Sequence, residues 1–110
     1  MQIEQSERDG VVVLATSGRF NMVSAPRIKA RIDETVAAGN ARIVVDLAGV
    51  DFIDSSGLGA LIGGLKTARQ ASGDLRIAAA GDQVVTVLKL TNLDRILTPF
   101  DTVEAAVDGW

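Results

Sequence analysis

Asp54-Ser55-Ser56-Gly57 sits where a strand must hand over almost directly to a helix. The apolar run Ile43-Val44-Val45-Asp46-Leu47 precedes it, and Leu58, Leu61, Ile62 and Leu65 follow at helical spacing. A chain written this way has few choices but an α/β layer. The two hydroxyls fall at the helix end whose free backbone N–H groups carry partial positive charge. Such ends attract phosphate and other anions. A serine there can cap the helix, attack a substrate or accept a phosphate.

The absence of histidine and cysteine narrows these roles. Without either residue, Ser-His-Asp and Cys-His machinery cannot be assembled, and the usual zinc sites lose their preferred ligands. No sequence feature pairs a lysine with Ser55 as a base. Ser55 therefore reads as a residue acted upon, in a protein that is not an enzyme. No cofactor or metal is expected.

A chain of 110 residues that is 47% hydrophobic and 23% charged reads as one ordered domain spanning residues 1–110. Its formal net charge of −3 gives no electrostatic reason to expect nucleic acid or an anionic membrane as partner. The N-terminus lacks the basic and apolar regions of a signal peptide, and no apolar run approaches bilayer-spanning length. The expectation is a free-standing cytoplasmic domain.

Along the chain, strand and helix patterns alternate. Met1–Glu7 reads as a polar edge strand, joined by an Asp9-Gly10 turn to a buried strand over Val11–Thr16. Gly18–Val23 reads as a loop, with Ser24 as N-cap and Pro26 in the first turn of a helix. That helix faces inward through Ile28, Ile32 and Val36 and ends at Gly39-Asn40. A central strand over Arg42–Leu47 leads to the second helix, Ser55–Ala71. Leu75–Ala80, Gln83–Leu90 and Arg95–Phe100 follow as strand, helix and strand, with Pro99 suited to an edge. Asp101 and Glu104 resemble a capping box for a last helix over Thr102–Val107; Trp110 either packs its end or is exposed. The fold class is thus α/β: a four- to five-stranded, mostly parallel sheet with an N-terminal antiparallel hairpin and about four helices.

The run from Val44 to Leu61, with Asp54-Ser55-Ser56-Gly57 at its centre, resembles the signature of STAS domains, in particular the free-standing bacterial anti-sigma-factor antagonists. The similarity extends to the Gly18 turn, the Gly73-Asp74-Leu75 step and the Leu88–Ile96 segment, covering essentially the whole chain. The resemblance implies that Ser55 is a phosphoacceptor. It implies a partner-binding surface that includes Asn21, Asp54, Ser56, Gly57 and Leu58. It further implies that the unphosphorylated form binds an anti-sigma factor that is also an ATP-dependent serine kinase, releasing a sigma factor and regulating transcription by partner switching. Phosphorylation would break that complex, and a metal-dependent serine phosphatase would restore it.

One segment departs from the family. Where Gly-Glu-Leu-Asp is common, this chain has Gly18-Arg19-Phe20-Asn21, which reverses one charge and removes another. That segment is expected near the start of the Ser55 helix, because both follow adjacent strands. For the helix glycines, close helix-to-sheet packing is expected at Gly63 and Gly64, and room for a partner's approach at Gly57 and Gly59. Leu58, Leu61, Ile62 and Leu65 read as core, with Leu58 the one placed to face a partner. Lys66 and Arg69 read as a solvated face. The alternatives are a STAS interaction or scaffold module without a phosphorylation switch, and a receiver or small nucleotide-binding enzyme. The last lacks an acidic magnesium cluster, a Walker sequence and a Gly-x-Gly-x-x-Gly turn.

Overall fold

The computed structural model describes residues 1–108 and 110. In chain order its elements are β1 (Gln2–Arg8), β2 (Val11–Phe20), α1 (Ala25–Ala37), β3 (Arg42–Ile53), α2 (Ser55–Gln70), β4 (Asp74–Ala78), α3 (Asp82–Leu90), a 3-10 turn (Leu93–Arg95), β5 (Pro99–Phe100) and α4 (Val103–Val107). They build one five-stranded sheet in the order β1-β2-β3-β4-β5. β1 and β2 pair antiparallel and every later pair is parallel. The hairpin closes through Asp9 and Gly10, both at positive φ (51° and 80°). Two such residues match the twist of a tight hairpin turn.

The parallel strands advance across the sheet without reversing. Each right-handed crossover therefore places its helix on the same face, and α1, α2 and α3 form one layer. Alternation along β2 and β3 divides the apolar residues between the faces. Val12, Leu14, Ile43, Val45 and Leu47 join Ile28, Ile32, Leu61, Leu65 and Leu88 in the main core. Val11, Val13 and Val44 point the other way and are covered by Ala106 and Val107 of α4. Trp110 packs at this second cluster, its ring 4.1 Å from the Arg76 guanidinium. Among the described residues, no helix is long and apolar enough to cross a membrane.

Several boundaries differ from the sequence expectation. β2 continues through Gly18, Arg19 and Phe20, which were expected in a loop, and β3 runs on to Ile53. These outer halves pair with each other, Ser17 with Gly49 and Phe20 with Ile53, across two register shifts, and they send Phe20, Val50 and Ile53 into the main core. Gly18-Arg19 in β2 and Ala48-Gly49 in β3 interrupt the apolar pattern, so the sequence does not carry either strand past its inner half. The expected strand over Arg95–Phe100 shrinks to Pro99–Phe100, with Arg95 in the 3-10 turn. Pro99 does occupy the sheet edge.

Two caps are also corrected. Ser24 stands at the N-cap position of α1, but its side chain makes no cap hydrogen bond there. Its hydroxyl instead donates to the Arg19 carbonyl at 2.8 Å. At α4 the capping oxygen belongs to Thr102, which accepts from Ala105 N–H at 3.1 Å, rather than to Asp101. Gly64 packs as expected: a Cβ there would stand 2.7 Å from Ile32 and 3.3 Å from Leu75. Gly63 faces the Lys29 stem on α1 rather than the sheet.

Candidate functional site

Asp54 joins three elements through its backbone and carboxylate. It is extended (φ −117°, ψ −173°), so β3 ends and α2 begins within one residue. Its N–H donates to the Phe20 carbonyl at 3.2 Å, tying the end of β2 to the start of α2. Its carboxylate accepts from Gly57 N–H at 3.0 Å, satisfying one of the helix's orphan donors. Asp54 is therefore the cap. Ser55, the first helical residue, is exposed, whereas Ser56 is half-buried.

The Gly18–Asn21 segment does lie at the Ser55 end of the molecule, as expected. Arg19 is exposed and stacks over the Phe52 ring, 4.5 Å from its centroid. Asn21 uses its side-chain oxygen to accept from Val23 N–H at 3.0 Å and Ser24 N–H at 3.3 Å. That closure turns Met22 and Val23 outward, 73% and 80% exposed. Two apolar side chains thus stand free at the strand ends that carry Ser55. Sequence reasoning passed over them, although neither is in phase with Ile28, Ile32 and Val36.

The remaining predicted residues divide between surface and core. Leu58 is buried at 3% exposure, so it faces the core rather than outward. Its edge nevertheless contributes, with Ser55, Gly59, Ile62 and Leu93, to an open groove of about 430 Å³ along α2. Leu61 and Leu65 are buried and Ile62 packs at the core's margin. Gly57 leaves no room for a partner: a Cβ there would meet the Phe20 carbonyl oxygen at 2.5 Å and its ring at 2.8 Å. This glycine allows α2 to seat against β2. Gly59 opens to solvent, and a Cβ added there would have no neighbour within 4 Å.

Gln83, which sequence reasoning read only as the start of a helix, supports the site from α3. β4 ends at Ala78, paired with Asp46, so among the described residues the outer half of β3 has no strand on that side. The Gln83 amide fills the place of one. Its oxygen accepts from Ile53 N–H at 2.9 Å and its nitrogen donates to the Ile53 carbonyl at 3.0 Å. A side-chain amide presents the same donor and acceptor as a peptide group, and here it fixes the residue immediately before Asp54. No periodic signal marks such a glutamine.

The sheet order never reverses, so there is no crevice between diverging helices of the kind that holds nucleotides in doubly wound folds. The site is a surface: an exposed hydroxyl on the first turn of a 16-residue helix, beside an apolar turn and an open groove. Among the described residues, no group of three or more His, Cys, Asp or Glu side chains is arranged to hold a metal ion.

The STAS domain family model matches residues 2–106. TM1081 of Thermotoga maritima is 32% identical, with a TM-score of 0.90 over 96% of this chain and 92% of that one. An anti-sigma F factor antagonist of Paenibacillus polymyxa is 28% identical over 102 residues, 92% of this chain and 87% of its own length. Unphosphorylated SpoIIAA, an anti-sigma factor antagonist, is 21% identical with a TM-score of 0.82, covering 97% of this chain and 94% of that one; this is a likeness of fold. Phosphorylated SpoIIAA of Bacillus has a TM-score of 0.74 at 20% identity, covering 97% of each chain. Because the family model runs from the first strand into the last helix, taking in the whole Ser55 turn, the chain belongs to the STAS domain family.

Proposed function

We propose that this protein is a cytoplasmic anti-sigma factor antagonist, switched by phosphorylation of Ser55. Unmodified, it binds an anti-sigma factor that is also an ATP-dependent serine kinase, and so frees a sigma factor. Phosphorylated, it lets go, and a metal-dependent serine phosphatase resets it. The observation that carries this reading is the division of labour at the α2 start: Asp54 caps the helix, leaving Ser55 exposed and available for modification. The names of its relatives support the antagonist role, and SpoIIAA supplies a precedent for this fold in both forms.

Phosphorylation acts at the interface rather than on the fold. A phosphate adds roughly −1.5 to −2 charges at neutral pH. The free N–H groups at the start of α2 offset part of that, by about 0.3–1 kcal/mol at an exposed site. Within a protein contact the group must lose water next to Asp54, with Asp51 close in sequence, and like-charge juxtaposition in an interface costs several kcal/mol. About 1.4 kcal/mol is already tenfold in affinity, so exclusion dominates. Asn21, Asp54, Ser56 and the margin of Leu58 contribute to the contact, with Met22 and Val23 as its apolar part; Gly57, expected there from the sequence, is taken up by packing against Phe20.

The test begins with co-purification from the native cell and mass analysis of the Ser55 peptide, followed by calorimetry of the captured partner against modified and unmodified protein. The expected result is a phosphate on Ser55 and weaker binding once it is present. Equal binding of both forms would instead indicate a STAS scaffold without a switch.

A further inference from the structure

At the opposite end of α2 from Ser55, three arginines line one cleft. Arg69 lies 14 residues beyond Ser55, about 21 Å along the helix. It shares a cavity of about 220 Å³ with Arg76 of β4, Arg95 of the 3-10 turn and Asp74. The chain as a whole carries 14 acidic and 11 basic residues, so a lining with three arginines and one aspartate runs against its overall sign. We propose that this cleft binds a phosphate group, either as the free anion or as a phosphomonoester.

Arg76 is the prepared element. Its Nη1 donates to the backbone carbonyls of Ala106 at 2.8 Å and Asp108 at 3.4 Å. The guanidinium lies 4.1 Å from the Trp110 ring centroid and 5.4 Å from that of Phe100. These contacts hold its plane without neutralising its charge. A guanidinium ordered in advance loses less freedom when an oxyanion arrives. Arg69 spends only its Nε on Asp74, at 3.3 Å, which leaves its terminal nitrogens as donors. Asp74 is the opposing charge, and its Oδ1 is already engaged by Arg69 and by Leu75 N–H at 2.9 Å. Arg95 is exposed and makes no ion pair among the described residues. Paired guanidinium donors match phosphate oxygens in geometry as well as charge.

The test is an NMR titration of the whole chain with sodium phosphate, and separately with AMP, each at ionic strength held constant with sodium chloride. Saturable shifts are expected at the amides of Asp74, Leu75, Arg76 and Thr98. Arg95→Gln should weaken binding about tenfold, the size of one charge-assisted hydrogen bond, with the remaining spectrum unchanged. Arg95→Lys should weaken it less. Equal affinity for phosphate and AMP identifies the free anion as sufficient, and tighter AMP binding identifies a monoester; both support the site. Shifts that chloride alone reproduces, that never saturate, or that Arg95→Gln leaves intact would overturn the proposal.

Discussion

The carbonyl oxygen of Phe20 accepts from Asp54 N–H at 3.2 Å and stands 2.5 Å from the position a Cβ on Gly57 would take. One peptide group of β2 thus sets both where α2 begins and how closely it approaches. Substituting Gly57 by Ala should push α2 away from β2 and destabilise the domain by about 1–3 kcal/mol, the usual cost of overpacking. Gly59→Ala meets no neighbour and should stabilise it, by up to about 1 kcal/mol from helix propensity. Denaturant midpoints of the two variants should move in opposite directions. A Gly57→Ala protein as stable as the parent would show that the approach is not limiting.

Gln83→Ala leaves the Ile53 N–H and carbonyl without their side-chain partner. The expected loss is about 1–3 kcal/mol, with faster amide exchange at Ile53. Gln83→Glu should be no remedy at neutral pH, because a carboxylate can accept from the N–H but cannot donate to the carbonyl. A glutamate variant with parental exchange at Ile53 would show that the second bond adds nothing.

Ser55 and Ser56 occupy successive positions about 100° apart around the helix, and only Ser55 is exposed. Ser55→Ala should abolish labelling by the cognate kinase, whereas Ser56→Ala should retain part of it. Undiminished labelling of Ser55→Ala would reassign the acceptor.

Replacing exposed Met22 and Val23 by Ser should leave stability within about 0.5 kcal/mol of the parent, as surface changes usually do. The same double variant should bind the anti-sigma partner more weakly in calorimetry. Parental affinity would place the contact elsewhere.

Glu104 gives a pH dependence of known sign. Its hydrogen bond from Arg8, at 2.9 Å, holds the carboxyl below the ordinary glutamate range. A depressed folded value means the contribution is present above the unfolded pKa and disappears as pH falls through the folded one. Both partners are well exposed, so the effect is small and screened by salt. Stability measured across the acid range should show it in the parent and not in Glu104→Gln.

Much of this arrangement is legible in the chain because local and global signals agree. Ile28 and Ile32 announce one buried helix face, Asp9-Gly10 announces the hairpin, and Ile43–Leu47 announces the central strand. The strand-to-helix step at Asp54 is legible for the same reason. What stays hidden depends on pairing at a distance. The outer halves of β2 and β3 are interrupted by Gly18-Arg19 and Ala48-Gly49, and Phe20, Val50 and Ile53 reach the core only once the two strands pair. Ser24 occupies the expected N-cap position, yet Arg19, five residues back, receives its hydroxyl's hydrogen bond. Thr102 and Asp101 are equally plausible caps until the backbone is in place. Arg69, read as a solvated face, shares a cavity with Arg76 and Arg95 only once the fold brings the ends of α2, β4 and the 3-10 turn together.

The outer half of the strand that delivers Ser55 is woven into the sheet on one side and merely buttoned on the other. Both Gln83 bonds share one set of side-chain torsions, so a single rotamer change undoes donor and acceptor together. A true neighbouring strand would have to unzip residue by residue. The last step of β3 is therefore coupled to the seating of α3, and whatever presses on or lifts that helix is felt one residue from the Asp54 cap.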